Sequence, residues 1–296
     1  VTKSITTEKA GNTMQEILAE YTKSTESTYD GFEGYTTNQV YQTTDWLGTT
    51  YYFAGQPTDN WVKFGDYYWR IIRMNGDGST RLIYSGENTD NNINNFNIGE
   101  NRFNNYNNYS YYVGLSYNTT QHGSGMNSSV LDVLNNWYSK NLIEYEDYID
   151  SNVGFCSDRN VASGYTWKED EDVDYAAWNR LSGRPYGIIS PTLQCSTIND
   201  ILKLPIGLIT ADEVSFSGIH FENEISVHYL YSAGEFWTMT PNRYQQRLGA
   251  NMITLKLGSF NNSVVTDRCY VRPVINLKAD TRFTGSGTTT DPYVVV

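Results

Sequence analysis

The chain is poor in cysteine, histidine, basic residues and long apolar runs, and each shortage removes a class of function. Its three cysteines, Cys156, Cys195 and Cys269, stand far apart and fit no zinc-ligand spacing. Its three histidines, His122, His220 and His228, are too few and too scattered for a catalytic set. His220 and His228 share a segment with Glu222 and Glu224, but without His-x-x-x-His spacing a solvated or hydrogen-bonded role is expected for each. Lys and Arg total 21 against 33 Asp and Glu, a net charge of -12, which argues against the clustered basic footprint of a nucleic-acid-binding protein. An acidic surface favours solubility and disfavours sticking to anionic membranes. No apolar run approaches the roughly 20 residues that span a bilayer, so no membrane insertion is expected of this chain. No Gly-x-Ser-x-Gly elbow marks a serine hydrolase. The first residue is Val1 and no basic, apolar leader follows, so the chain is read as a mature or trimmed product with its export signal or anchor outside it; a cytosolic protein lacking its true start would look the same.

What is abundant is tyrosine, 25 residues of 296, alongside many Asn, Ser and Thr. Tyr and Thr suit strands, and the same palette serves adaptable recognition surfaces, where Tyr adds rigid contact area at low entropic cost. The Asn-x-Ser/Thr sequons at Asn108, Asn118, Asn127 and Asn261 follow from this abundance. A hydrophobic content of 39% over this length supports a substantial core.

Two regions are expected. Residues 1–45 form a polar N-terminal segment in which Met14, Ile17, Leu18 and Tyr21 fall at helical spacing. Residues 46–296 form the main domain. There Tyr67–Met74 and Ser79–Tyr84 flank Asn75-Gly76-Asp77-Gly78, whose composition predicts a tight hairpin. The Asn-rich stretch 90–108 is read as an ordered loop, because Phe96, Phe103, Tyr106 and then Tyr111-Tyr112 anchor it. Residues 128–138 predict the best helix, with Ser128 as cap and Val130, Leu131, Leu134, Trp137 and Tyr138 on one face. A helical turn is expected at 143–149 and a short helix at 211–215, with strands and loops at 204–209, 229–239, 250–257, 263–277 and 293–296. Few helices among many short strands and long loops make an α+β domain.

The acidic run Glu169–Asp174 places Asp170, Asp172 and Asp174 at alternate positions. Calcium takes several such oxygens, but the run lacks the glycine and distal Glu of an EF-hand loop and reads first as a solvated charged loop. No cofactor is expected, calcium being the one ion the pattern admits.

Several strings are specific. They are Trp69-Arg70-Ile71-Ile72-Arg73 before the Asn-Gly-Asp-Gly turn, Gly207–Val214, Phe236–Pro241, Val271–Lys278, and the closing Gly285–Thr288 with Asp291–Val295. From about Trp46 to Val296 the chain thereby resembles a family of surface proteins from gut Firmicutes. That resemblance implies a C-type-lectin-like domain, akin to the formylglycine-generating-enzyme fold, with short antiparallel strands and long ordered loops. The contexts Gly154–Arg159 and Pro191–Cys195 match the family, which implies a Cys156–Cys195 disulfide, worth roughly 3–4 kcal/mol in the chain-entropy model, and an oxidising compartment. Cys269 is then a buried small hydrophobe. The oxidising enzymes of that fold need a cysteine pair near the C-terminal end of the domain, where this chain has Cys269 alone, so it is not expected to be an enzyme. The Glu-Pro-Asn and Gln-Pro-Asp strings of calcium-dependent sugar binding are missing as well.

In the resembling family the segment between Pro241 and Tyr270 varies between fixed flanks. This makes Asn242, Arg243, Tyr244, Gln245, Gln246 and Arg247 the candidate ligand-binding residues, with 258–268 as a second displayed loop. Trp237 is assigned to the core. The expected function is an extracellular, adhesin-like surface protein that binds a glycan or a host protein. The alternative is a subunit of a surface filament or pilus, self-assembling when the polar segment Val1–Ala10 pairs with a neighbour's sheet edge.

Overall fold

The computed structural model describes residues 11–90, 95–221 and 224–296. The segment Val1–Ala10, on which the filament alternative rests, lies outside the described residues, as does Glu222.

The predicted hairpin forms at the centre of the larger sheet. Strand Tyr67–Met74 pairs antiparallel with Thr80–Tyr84. The turn between them closes through Asn75 N–H donating to the Ser79 carbonyl at 2.8 Å, with Gly78 at φ +88° where a side chain would be strained. Ten strands make up this sheet. Along its main path run Asn12–Thr13, Arg282–Thr284, Tyr293–Val295, Trp61–Phe64, Tyr67–Met74, Gly48–Tyr52, Gln39–Asp45 and Thr22–Ser24, with Val274–Leu277 joined to Thr80–Tyr84. The first and last strands of the path are both N-terminal. Residues 12–24 thus pair into the main sheet, and Met14, Leu18, Tyr21 and Val40 share one apolar core with Trp69, Trp237 and Phe283. The change in composition near residue 45 marks no separate body, because the buried residues 14, 18 and 21 complete the core of the rest.

A second, six-stranded sheet comprises Glu100–Arg102, Arg268–Tyr270, Phe236–Gln245, Gly249–Lys256 and Ser259–Val264, with Val173–Asp174 added to Phe236–Gln245. Trp237 is fully buried, as its apolar run predicts, and its indole N–H donates to the Asn101 carbonyl at 2.8 Å. The stretch 263–277 divides into three strands, and 229–235 is irregular. At Gly234 a Cβ would stand 2.0 Å from the Tyr270 ring, so the chain there passes too close to carry a side chain.

Among the described residues there are four α-helices. The first, α1 (Met14–Ala19), opens with a reciprocal Thr13–Glu16 cap, and α2 (Ser129–Asn141) with Ser128 capping the Leu131 N–H. Helix α3 (Ala176–Ser182) follows the acidic run and was not legible there; Gly183 ends it in the left-handed region. Helix α4 (Ala211–Phe216) carries a second reciprocal cap, Thr210–Glu213, and all six of its residues are buried. The expected turn after α2 is a 3-10 helix, Ile143–Tyr148. The fold is mixed α+β, dominated by sheet.

Beneath α4 lies a buried charge network. Arg73 pairs with Asp45 and with Glu213 (3.0 Å), Arg81 with Glu213 (2.5 Å), and Arg180 with Asp158 (2.6 Å) and Asp212 (2.5 Å). Beside it Cys156 and Cys195 are joined in a disulfide, with Cys156 lining the same small cavity as Arg81, Arg180 and Glu213.

Candidate ligand surface

The six residues 242–247 are split by the strand that carries them. Phe236–Gln245 stays extended to its last residue and pairs with Gly249–Lys256, so side chains alternate between faces. Asn242 (0% exposed) and Tyr244 (3% exposed) point inward and cannot be displayed. The Tyr244 hydroxyl donates to the Asn108 carbonyl at 2.8 Å, and the Arg243 guanidinium lies 5.0 Å from the centre of the Trp178 ring, half-buried. Gln245 is half-buried; Gln246 and Arg247 stand exposed at the hairpin tip beside the exposed Leu248. The expectation of a six-residue displayed loop is thereby corrected to a three-residue tip. The cause is that residues 242–245 continue the strand, with Val173–Asp174 paired alongside Arg243 and Tyr244, so that they are held in the sheet rather than displayed as a loop.

The acidic run is fastened to the same tip. Gln246 N–H donates to an Asp172 carboxylate oxygen at 2.8 Å and its side-chain amide to the Asp170 carbonyl at 2.6 Å. Lys168 pairs with Glu171 at 2.5 Å on the surface, and the Tyr165 hydroxyl reaches Asp174 at 3.3 Å. Among the described residues no three His, Cys, Asp or Glu side chains converge as a metal site, and Asp170, Asp172 and Asp174 are no exception.

A third segment completes the surface. The loop 104–112 leaves strand Glu100–Arg102 and is tied down at several points. Ala250 N–H donates to the Asn107 carbonyl, Ser110 N–H to the Glu169 carbonyl, and the Tyr175 hydroxyl to the Ser110 carbonyl, at 2.8, 2.8 and 2.6 Å. Gly249 (φ +92°) makes the approach possible, since a Cβ there would stand 2.5 Å from the Asn107 side-chain amide. Held this way, five tyrosines form a continuous ledge. Tyr109 stacks on Tyr111 at 5.1 Å, Tyr111 lies 4.7 Å from Tyr112, Tyr112 5.7 Å from Tyr106, and Tyr117 5.4 Å from Tyr112. Tyr111 and Tyr117 are buried supports, Tyr109 and Tyr112 are half-buried, and Tyr106 is 61% exposed. Burial, with Tyr112 alongside, pushes the Tyr111 phenol well above its ordinary range, and burial raises Tyr117 too, so both stay neutral. Exposed Met126 lies opposite Tyr117 in the short Ser116–Tyr117/Met126–Asn127 ladder.

The assembled surface therefore offers aromatic faces, the exposed Asn105 and Asn108, and the Gln246–Leu248 tip with Arg247. Stacked rings accept the apolar face of a sugar or a side chain, while amides and the guanidinium serve hydroxyls and carbonyls. Sequence reasoning used Tyr106, Tyr111 and Tyr112 only as anchors. The close spacing Tyr106-x-x-Tyr109-x-Tyr111-Tyr112 was the available signal.

The histidines take structural roles. His122 bonds Asp200 at 2.9 Å, and His220 Nδ1 contacts the Phe221 carbonyl at 2.6 Å. In His228 both ring nitrogens are engaged, Nε2 with the Ser217 carbonyl and Nδ1 with the Leu230 N–H. Burial pushes His228 from 6.5 down to about 4, against the Ser217 bond that favours its charge. The unfolded chain thus takes up this proton first as pH falls. Stability is full above the unfolded value of 6.5 and is lost as pH falls toward about 4, on the order of 3 kcal/mol in all. Melting temperature should fall as pH is lowered through this window, and the fall should flatten in His228→Gln; equal slopes in both proteins would refute the assignment. Cys269 is a buried free thiol, pushed up to about 12 by burial and by Glu235, which makes it a packing residue.

Comparison with known proteins returns no matching family model, no matching curated protein and no matching solved structure.

Proposed function

We propose that this chain is an extracellular bacterial surface protein, built on a C-type-lectin-like scaffold, that binds a glycan on the tyrosine ledge and the adjoining hairpin tip. The observation that carries this reading is the ring ladder from Tyr117 to exposed Tyr106, on a loop fastened by main-chain bonds to Ala250 of the hairpin and to Glu169 of the acidic loop, which in turn holds Gln246 of the tip. Rigid stacked rings lose little freedom on binding, and the Asn and Gln amides beside them suit the paired hydroxyls of a sugar. The disulfide supports an oxidising, extracellular setting.

A glycan array followed by calorimetry on the best hit tests the proposal. Tyr106→Ala combined with Tyr109→Ala is expected to weaken binding by about tenfold or more, or about 1.4 kcal/mol, with the melting temperature nearly unchanged. Tyr244→Ala should instead destabilise the fold by about 2–4 kcal/mol, because it empties a buried site. An array with no hits, or undiminished affinity in the double variant, would overturn the reading. Negative-stain fibres that vanish on deletion of Val1–Ala10 would favour the filament subunit in its place.

A further inference from the structure

Six arginines are buried or nearly so, and they divide into two groups. Arg73, Arg81, Arg159 and Arg180 each have a carboxylate within ion-pair distance. Arg70 (3% exposed) and Arg272 (1% exposed) have none among the described residues. Arg272 is spent on the protein: its guanidinium donates to the Tyr84 carbonyl at 3.1 Å and lies 5.0 Å from the centre of the Phe236 ring. Arg70 is only partly spent. Its Nε donates to Asn60 Oδ1 at 2.5 Å and its Nη2 to the Pro57 carbonyl at 2.7 Å, with the guanidinium 4.4 Å from the Trp61 ring centre. Its Nη1 makes no hydrogen bond among the described residues. The field of Asp59 reaches Arg70, but that carboxyl is not within ion-pair distance and accepts the Asn38 N–H instead.

Arg70 lines a solvent-connected cavity of about 210 Å³ together with Gln56, His228 and Tyr229. Two buried polar atoms among these residues have no partner, the Tyr229 hydroxyl and Gln56 Oε1. Tyr229 itself is 3% exposed, and its ring centre lies 5.4 Å from the Arg70 guanidinium. His228 is held neutral and adds no charge of its own. A buried cation without a counter-ion, beside an unpaired hydroxyl, is costly unless something completes it. Such a site fits a single planar anion, one oxygen on the guanidinium and one on the phenol. Aromatic walls and a single free guanidinium edge suit one negative charge better than the two of a phosphate.

We infer that this cavity binds a carboxylate, with Arg70 Nη1 and the Tyr229 hydroxyl as its donors. The pocket shares no residue with the tyrosine ledge and stands independently of it. Its size suits a small acid or the carboxylate of one acidic sugar residue. Titration with sodium glucuronate, glucose and sodium acetate, followed by calorimetry and thermal shift, distinguishes the sources. Glucuronate is expected to bind and raise the melting temperature, whereas glucose, equal in size but neutral, does neither. Acetate matching glucuronate assigns the site to small free acids; weaker acetate assigns it to an acidic sugar. Tyr229→Phe removes a hydroxyl that bonds nothing among the described residues, so it should fold normally and bind about tenfold more weakly. Arg70→Met should abolish binding; because it also strands Asn60 Oδ1 and the Pro57 carbonyl, its unliganded melting temperature is measured alongside, and Tyr229→Phe carries the test if the Arg70 variant fails to fold. Tyr106→Ala should leave glucuronate binding unchanged. Equal response to glucose, no response to either acid, or full affinity in Tyr229→Phe would each overturn the proposal.

Discussion

Replacing Glu213 with alanine is expected to cost about 3–5 kcal/mol, a large part of the 5–15 kcal/mol that holds a typical domain together. One carboxylate oxygen of Glu213 accepts from Arg73 at 3.0 Å and pairs with Arg81 at 2.5 Å. The other accepts the Thr210 N–H at 2.9 Å and closes the cap of α4. Truncation therefore removes a helix cap and leaves Arg81 buried without a carboxylate, while Arg73 keeps only Asp45. Urea unfolding of Glu213→Ala measures the loss, and a cost below about 1 kcal/mol would refute the account. Adding Arg81→Met to that variant should recover part of the loss, because an apolar side chain in place of the stranded charge is often neutral or better. Acid should act in the same direction. Burial raises the Glu213 pKa, but Arg81, Arg73 and the Thr210 N–H outweigh it, so the net shift is downward from 4.5. A depressed folded-state value means its stabilisation is complete above 4.5 and disappears as pH falls through the folded value. This loss begins at the acid end of the window assigned to His228, so the His228→Gln variant is needed to isolate it.

The second large effect is expected from Cys156→Ser with Cys195→Ser, about 3–4 kcal/mol for a loop of this length. The disulfide spans 39 residues. Between its ends the chain includes α3 and the exposed Tyr186 and Ile188; Val173, Tyr175 and Leu181 anchor its middle in the core, and polar links tether the rest. Arg180 reaches Asp158 and Asp212, Thr192 N–H donates to Asp212 at 2.9 Å, and the Ser196 hydroxyl donates to Asp158 at 2.5 Å. Without the cross-link the unfolded chain gains freedom that these few contacts do not offset. Denaturation with and without reductant gives the value, and a loss under about 1 kcal/mol would show that the native contacts of the excursion hold it without the cross-link.

Elements fixed by neighbours in sequence were legible. Ser128 and Thr210 cap helices because a side-chain oxygen reaches an amide three residues on, and Asn75-Gly76-Asp77-Gly78 turns because Gly78 admits positive φ. Helix α3 was hidden because its seven residues follow an acidic run whose charges dominate the local pattern. Residues 12–24 read as a separate segment because their strands are two and three residues long, too short to show alternation.

The candidate ligand residues divide along the same line. That aromatics anchor the Asn-rich loop followed from the order of residues alone, while the Pro241–Tyr270 region was singled out by the resemblance. Which side chains face outward followed from neither, because a strand's period of two leaves the choice of face to what packs on the sheet: Asn242 and Tyr244 turn inward and Arg247 stands free at the tip. The loop that carries the tyrosine ledge is fastened at Asn107 to Ala250, and the Arg70–Tyr229 pocket likewise joins two positions remote in the chain. Composition and local spacing determined the α+β character, the turns and the caps, since those energies act over three or four residues. The tertiary structure alone decided which rings stack and which cation goes unpaired, since those energies exist only once distant segments have packed.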